Sequence, residues 1–201
     1  MQAIENKVIS RIYGKGRGWA FFKNDFVDLG RASAIDQCLS RLAKSQRIRR
    51  VMRGIYDYPK FSSLLGKELE PDVDQVARAL ARKFGWKIQV AGNTALNVLG
   101  ISTQVPSRYL YLSDGKSCAY QIGNRELSFK KTRLKDMGLR YPESAMLVQA
   151  IKALEKSVLS EHERKQIREY FGEKIGKRIL KDARYTTAWA YEEIKRIFKE
   201  E

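Results

Sequence analysis

The sequence predicts an α+β protein: an amino-terminal winged helix-turn-helix, then a mixed α/β domain and a helical carboxy-terminal segment. Three observations predict it. Between Arg31 and Tyr58 a helix-sized stretch with one apolar stripe runs into a basic hairpin, Arg47-Ile48-Arg49-Arg50-Val51-Met52-Arg53-Gly54-Ile55-Tyr56-Asp57-Tyr58. From Trp86 to Lys130 short apolar runs alternate with glycine turns and one short helical pattern. From Glu161 onward the chain reads as charged helix, with 11 basic and 9 acidic side chains, a solvated surface rather than a polyanion patch. These divide the chain into residues 1–62, 63–160 and 161–201.

An opening helix around Ala3 to Tyr13 carries Ile4, Val8, Ile9 and Ile12 on one side. Gly14-Lys15-Gly16-Arg17-Gly18 breaks the periodicity, and Trp19 to Phe22 is a short apolar segment suited to pair with the hairpin. The glycine run lacks the spacing of a phosphate loop and the strand that should precede one, so it reads as a flexible basic loop. Asp25 to Leu29 forms a short amphipathic helix that Asn24 or Asp25 is placed to cap, and Gly30 gives the turn its backbone freedom. In the next helix, at about 100° per residue, Ile35, Cys38, Leu39 and Leu42 share one face. Ser33, Gln37, Ser40 and Lys44 fall opposite, with Arg41 at the edge and Ser33 as the expected cap. Ile48, Val51 and Ile55 then mark two strands closed at Arg53-Gly54, where glycine tolerates positive φ.

Pro59, Ser62-Ser63 and Gly66 suggest a boundary near residue 62. Pro71-Asp72 opens a helix with Val73, Val76, Ala77, Leu80 and Phe84 on one side, closed by Gly85. Next come a strand from Trp86 to Val90, a glycine turn into a short helix ending at Gly100, and a strand from Arg108 to Leu112. Tyr120 to Ile122 and Glu126 to Lys130 form a hairpin across Gly123-Asn124, and a helix begins at Tyr141-Pro142-Glu143.

The composition is that of a globular protein, 43% hydrophobic and 10% aromatic. No apolar run approaches the length that crosses a bilayer, and Met1 to Lys7 lacks a signal peptide's apolar core, so a cytoplasmic location is expected. Cys38 and Cys118 lie far apart, and a buried free thiol is expected at Cys38. The formal net charge is +16, and residues 1–62, with 13 basic and 5 acidic side chains, contribute half of it. From Lys44 to Arg53 five cations stand with no carboxylate, self-repulsion that a polyanion would relieve. The plainer alternative, a charged hairpin beside an ordinary amphipathic helix, leaves that run unexplained.

The reading is therefore duplex DNA as partner. Arg31, Ser33, Gln37, Ser40, Arg41 and Lys44 are the candidates on the recognition helix, with Gln suited to adenine and Arg to guanine. Arg47, Arg49, Arg50 and Arg53 are the wing candidates, and Lys15, Arg17 and Lys23 the candidates for the DNA backbone. A second basic run, Arg125, Lys130, Lys131, Arg133, Lys135 and Arg140, is open to three readings: added DNA contacts, an acidic or RNA-bound partner, or no more than a solvated edge.

Phe22-Lys23-Asn24-Asp25-Phe26, Leu39-Ser40-Arg41-Leu42-Ala43-Lys44 and Ile48 to Tyr56 with Tyr58-Pro59-Lys60 resemble the amino-terminal domain of the AbiEi-type antitoxins. These belong to bacterial and archaeal toxin-antitoxin (abortive infection) systems. The likeness continues through Ala91-Gly92-Asn93-Thr94-Ala95-Leu96 and the strand after Pro106, covering roughly residues 5 to 155. It implies an autorepressor whose winged helix binds repeats in its own promoter, joined to a domain that counters a nucleotidyltransferase-like toxin encoded beside it. Partners in that family often oppose each other without a stable complex, so direct contact with the toxin stays open. Repeated operator sites favour a homodimer on DNA, though no self-association pattern stands out.

Against this stands a second class, a nucleic-acid-processing or nucleotide-using enzyme. Gly92-Asn93-Thr94 is similar to the glycine-rich start of a nucleotidyltransferase, which next needs paired carboxylates for magnesium. The candidate downstream, Asp114, has no acidic neighbour two positions away, so the turn reads as structural. His162, the sole histidine, sits in a charged helix without partners for catalysis, and the cysteines have no zinc spacing. The sequence thus gives no catalytic residue, metal or cofactor.

Overall fold

The fold, taken from a computed structural model, is α+β, and residues 2–102, 107–132, 139–154 and 158–198 are described. Two compact units emerge: Met1–Trp86 with Gln121–Asn124, and Lys87–Tyr120 with Arg125–Glu201.

The first unit opens with α1 (Gln2–Lys15), followed by β1 (Ala20–Phe21), a 3-10 helix (Lys23–Leu29), α2 (Ala32–Lys44), β2 (Arg49–Met52) and β3 (Ile55–Asp57). The strands form an antiparallel sheet in the order β1-β3-β2, the topology of a winged helix. Its core follows from the apolar stripes: Val8 and Ile12 of α1, Phe21, Phe26, and Ile35, Cys38, Leu39 and Leu42 of α2 are all buried together. Burying each such Ile or Leu contributes about 2 kcal/mol. Trp19, Phe21 and Phe26 pack ring to ring, with centroids 4.8 to 5.9 Å apart. Arg11 clamps α1 to the 3-10 helix through a forked bond to Asp28, at 2.6 and 2.7 Å, which holds the Asp28 carboxyl down at about 2.

The caps differ from expectation. Phe22 precedes the 3-10 helix and donates its backbone N–H to the Asp25 carboxylate, so Asp25 acts from inside the helix and Asn24 does not cap. Arg31, not Ser33, is the N-cap of α2, and Ser33 lies exposed in the first turn. Gly30 has φ 166, extended backbone open to any residue. Its use is close approach instead, because a Cβ there would stand 3.1 Å from Cδ1 of Ile4.

The unit continues past the boundary expected near residue 62. β4 (Phe61–Ser62) and β5 (Lys67–Glu68) form a hairpin, and α3 (Val73–Phe84) is capped by Asp72, whose carboxylate accepts from the backbone of Asp74 and Gln75, and ended by left-handed Gly85. α3 packs on β1 and β3. Arg82 fixes it there, donating to both Asp25 carboxylate oxygens at 3.0 Å and to the Ala20 carbonyl at 2.9 Å. Phe84, expected on the buried face, is exposed and stacks on Trp86 at 4.7 Å.

The remaining elements are β6 (Ile88–Val90), α4 (Asn93–Val98), β7 (Arg108–Ser113), β8 (Cys118–Ile122), β9 (Arg125–Lys131), α5 (Pro142–Ala153), α6 (Glu161–Asp182) and α7 (Ala188–Phe198), all of the second unit except the last two residues of β8. The sheet order is β6-β7-β9-β8, with β6 antiparallel and β9 parallel to β7. The hairpin across Gly123-Asn124 is as expected. Helix α5 is buried nearly all round and packs on α4, α6 and β6. Residues 161–198 are more than a solvated surface, since Ile167, Phe171, Ile179, Ile194 and Ile197 are buried and Arg164 forks onto buried Glu193 at 3.0 Å. α6 breaks at Gly172, where φ is 69.

Gly30→Ala should destabilise the protein by about 1 to 2 kcal/mol in urea unfolding, through crowding of Ile4. Adding Ile4→Val removes the clashing Cδ1, so the double variant should lose less than the sum of the single losses.

Candidate nucleic-acid interface

The apolar face of α2 is fully taken up by the core, which turns its other face outward. Ser33, Gln37, Ser40, Arg41 and Lys44 are all exposed, as the 3.6-residue period requires, and Arg31, the N-cap ahead of the helix, is exposed as well. Just beyond, the chain turns sharply into β2. The N–H of Gln46 donates to the Ala43 carbonyl at 3.1 Å and that of Arg47 to the Leu42 carbonyl at 3.0 Å, a Schellman closure. Gln46 sits in its left-handed position at φ 58, where glycine is usual. It is the one non-glycine residue with positive φ among the described residues, and nothing in its side chain signals that role.

The hairpin is as tight as expected. Met52 pairs with Ile55 across Arg53-Gly54, and Gly54 has φ 75. Arg50 and Arg53 are exposed on it. A contact that sequence reasoning missed buttresses the turn: Lys83 of α3 donates to the Arg53 carbonyl at 3.3 Å, from 30 residues away.

Arg49 departs from the wing reading. Its Nε and Nη2 donate to the two oxygens of Asp57 at 3.0 and 2.6 Å, and Nη1 donates to the Leu69 carbonyl at 2.8 Å. Asp57 is 1% exposed, and burial pushes its carboxyl up against the opposing pull of Arg49. All three guanidinium nitrogens therefore serve the fold. The alternation along β2 accounts for it, since Arg49 and Arg50 point to opposite sides and only Arg50 is exposed.

Other candidates are partly engaged. Glu5 of α1 lies 3.4 Å from Arg41 Nη2 and 3.9 Å from Arg47 Nη1, and Lys23 pairs with Asp36 at 2.9 Å. The glycine loop is pinned rather than free: Arg17 donates to the Pro59 carbonyl at 2.8 Å and stacks 4.6 Å over the Tyr58 ring. Lys15 is exposed. Of the second basic run, Lys130, Lys131 and Arg140 are exposed and Arg125 is half-buried, while Arg133 and Lys135 lie outside the described residues.

In the second unit the Gly92-Asn93-Thr94 turn has structural work. Buried Thr94 accepts the Leu110 N–H at 2.8 Å, tying α4 to β7, and Asp114 accepts the Lys87 N–H at 2.8 Å. Among the described residues no three His, Cys, Asp or Glu side chains gather to hold a metal ion. Cys38 is a buried free thiol, pushed up chiefly by that burial.

A family model matches residues 7–179. The chain belongs to DUF6088, a family of unknown function. None of the curated proteins matches it. The DUF6088 match runs from α1 into the last turns of α6, so it takes in both units rather than the winged helix alone.

Arg49 and Arg50 should separate cleanly on substitution. Arg49→Ala strands a buried carboxylate and should cost about 3 kcal/mol of unfolding free energy, whereas Arg50→Ala should stay within about 0.5 kcal/mol. Thermal and urea unfolding of the two variants measures both.

Proposed function

We propose that this chain is an antitoxin and transcriptional autorepressor of a toxin-antitoxin operon, acting in the cytoplasm. Its winged helix binds repeats in its own promoter as duplex DNA, and its second unit counteracts a nucleotidyltransferase-like toxin. The observation that carries the DNA-binding part is the outward face of α2, where Ser33, Gln37, Ser40, Arg41 and Lys44 are exposed with Arg31 just ahead and one carboxylate, Asp36, among them, beside the exposed Arg50 and Arg53. A helix of that kind suits a major groove, and the hairpin suits the flanking phosphates. The antitoxin part rests on the resemblance to the AbiEi type. Among the described residues no helix is long and apolar enough to cross a membrane.

Within this reading Gln37 and Arg41 select bases, while Arg50 and Arg53 anchor the backbone. Titration of a duplex from the gene's own upstream region tests it, with a scrambled duplex of equal length alongside. The upstream duplex should bind more tightly and weaken steeply with salt. Gln37→Ala or Arg41→Ala should erase the preference, whereas Arg50→Ala should weaken both duplexes alike and reduce the logarithmic salt slope by about one. Equal affinity for both duplexes at every salt concentration would refute sequence-specific binding.

Repression and protection should also come apart. Full-length chain carrying Arg50→Ala and Arg53→Ala should lose promoter repression in a reporter assay yet still rescue cells expressing the neighbouring toxin from a separate promoter. Loss of rescue at equal protein levels would place neutralisation on the DNA-binding face instead.

A further inference from the structure

The contacts of Glu5 add a residue to the DNA-binding account. Its carboxylate, 29% exposed, lies in the first turn of α1 and faces two cations from different elements: Arg41 of α2 at 3.4 Å and Arg47, just ahead of β2, at 3.9 Å. Both arginines are close to half exposed, so solvent reaches the cluster and neither pair is locked. The carboxylate is set beside the outward face of α2 without belonging to α2, and the core holds α1 against α2 through Val8, Ile12, Ile35 and Leu39. The backbone that carries Glu5 is therefore fixed against α2, and its partners reach it on long side chains.

We infer that Glu5 restrains binding to any duplex by holding Arg41 and Arg47, so that DNA must displace its carboxylate before either cation is engaged. The inference rests on the DNA-binding reading above. On a non-cognate duplex each arginine gains a phosphate only by leaving a carboxylate, an exchange between two exposed ion pairs that is nearly balanced. At the cognate site Arg41 gains something a phosphate does not offer, a forked contact to one base edge, and leaves Glu5 for it. Replacing the carboxylate by an isosteric amide removes the competitor. The free protein then no longer holds a pair that DNA must break, so phosphate contact with any sequence and the cognate base contact both become more favourable.

Fluorescence anisotropy of the full chain with the upstream and the scrambled duplex tests this for the wild type and Glu5→Gln. Glu5→Gln should bind the scrambled duplex about 3- to 5-fold more tightly. The upstream duplex should tighten at least as much, so the preference does not narrow, and the salt slope on scrambled duplex should steepen by about one. In an Arg41→Gln, Arg47→Gln background, adding Glu5→Gln should change nothing, which a merely structural role would not produce. Unchanged or weaker affinity of Glu5→Gln for the scrambled duplex overturns the inference while leaving the repressor reading intact. A wild type that binds neither duplex sinks the reading and the inference together, and the two failures are thereby distinguished.

Discussion

The winged unit is organised around one buried carboxylate. Asp57 lies in the central strand, opposite Ala20 on one side and Arg49 on the other, so with its neighbour Tyr56 it stands where all three strands of the sheet pair. A bare carboxylate there would be intolerable, and the Arg49 fork answers both of its oxygens. The same guanidinium reaches the Leu69 carbonyl, tying the segment after β5 to the wing's base. Such a pair adds little net stability compared with apolar packing, but it has geometry, and apolar contact does not. With only a few residues per strand, the geometry matters: a one-residue slip would reverse Arg49 and Arg50, burying the cation meant for solvent.

That fixed register decides what the exposed surface carries. The charge of the first unit is spread over three kinds of position. Arg49, Arg82 and Arg11 are spent inside the unit, on Asp57, Asp25 and Asp28. Arg41, Arg47 and Lys23 are held loosely by Glu5 and Asp36. Arg50, Arg53, Lys44 and Lys15 stand outward. A net charge summed over the sequence treats these groups as equal, although only the last two kinds remain available to a polyanion. The carboxylates are as informative as the arginines, because each one marks a cation that the fold or a neighbour already holds.

Much of the fold was legible in the sequence because its signals are local. The stripe of Ile35, Cys38, Leu39 and Leu42, the Arg53-Gly54 turn, and the Asp72 and Gly85 ends of α3 each depend on residues within a few positions, and each is found as read. The outward face of α2 was legible for the same reason. What escaped the reading depends on distant partners. Gly30 looks like a turn glycine, but its reason is Ile4, 26 positions earlier. Arg49 and Arg50 are chemically identical in the sequence, and only the buried Asp57 across the strand tells them apart. The unit's extension to Trp86 rests on Arg82 reaching Asp25 and Ala20, far back along the chain. The parallel pairing of β7 with β9 carries no local mark either.

The central claim is that the outward face of α2 and the neighbouring wing together bind duplex DNA. Amide chemical-shift mapping of the full chain, with upstream duplex added stepwise, addresses it most directly. The largest shifts should fall on residues 31–44 and 50–54, with the buried face of α3 and the sheet of the second unit nearly silent. Shifts confined to residues 87–198, or none at stoichiometric duplex, would contradict it.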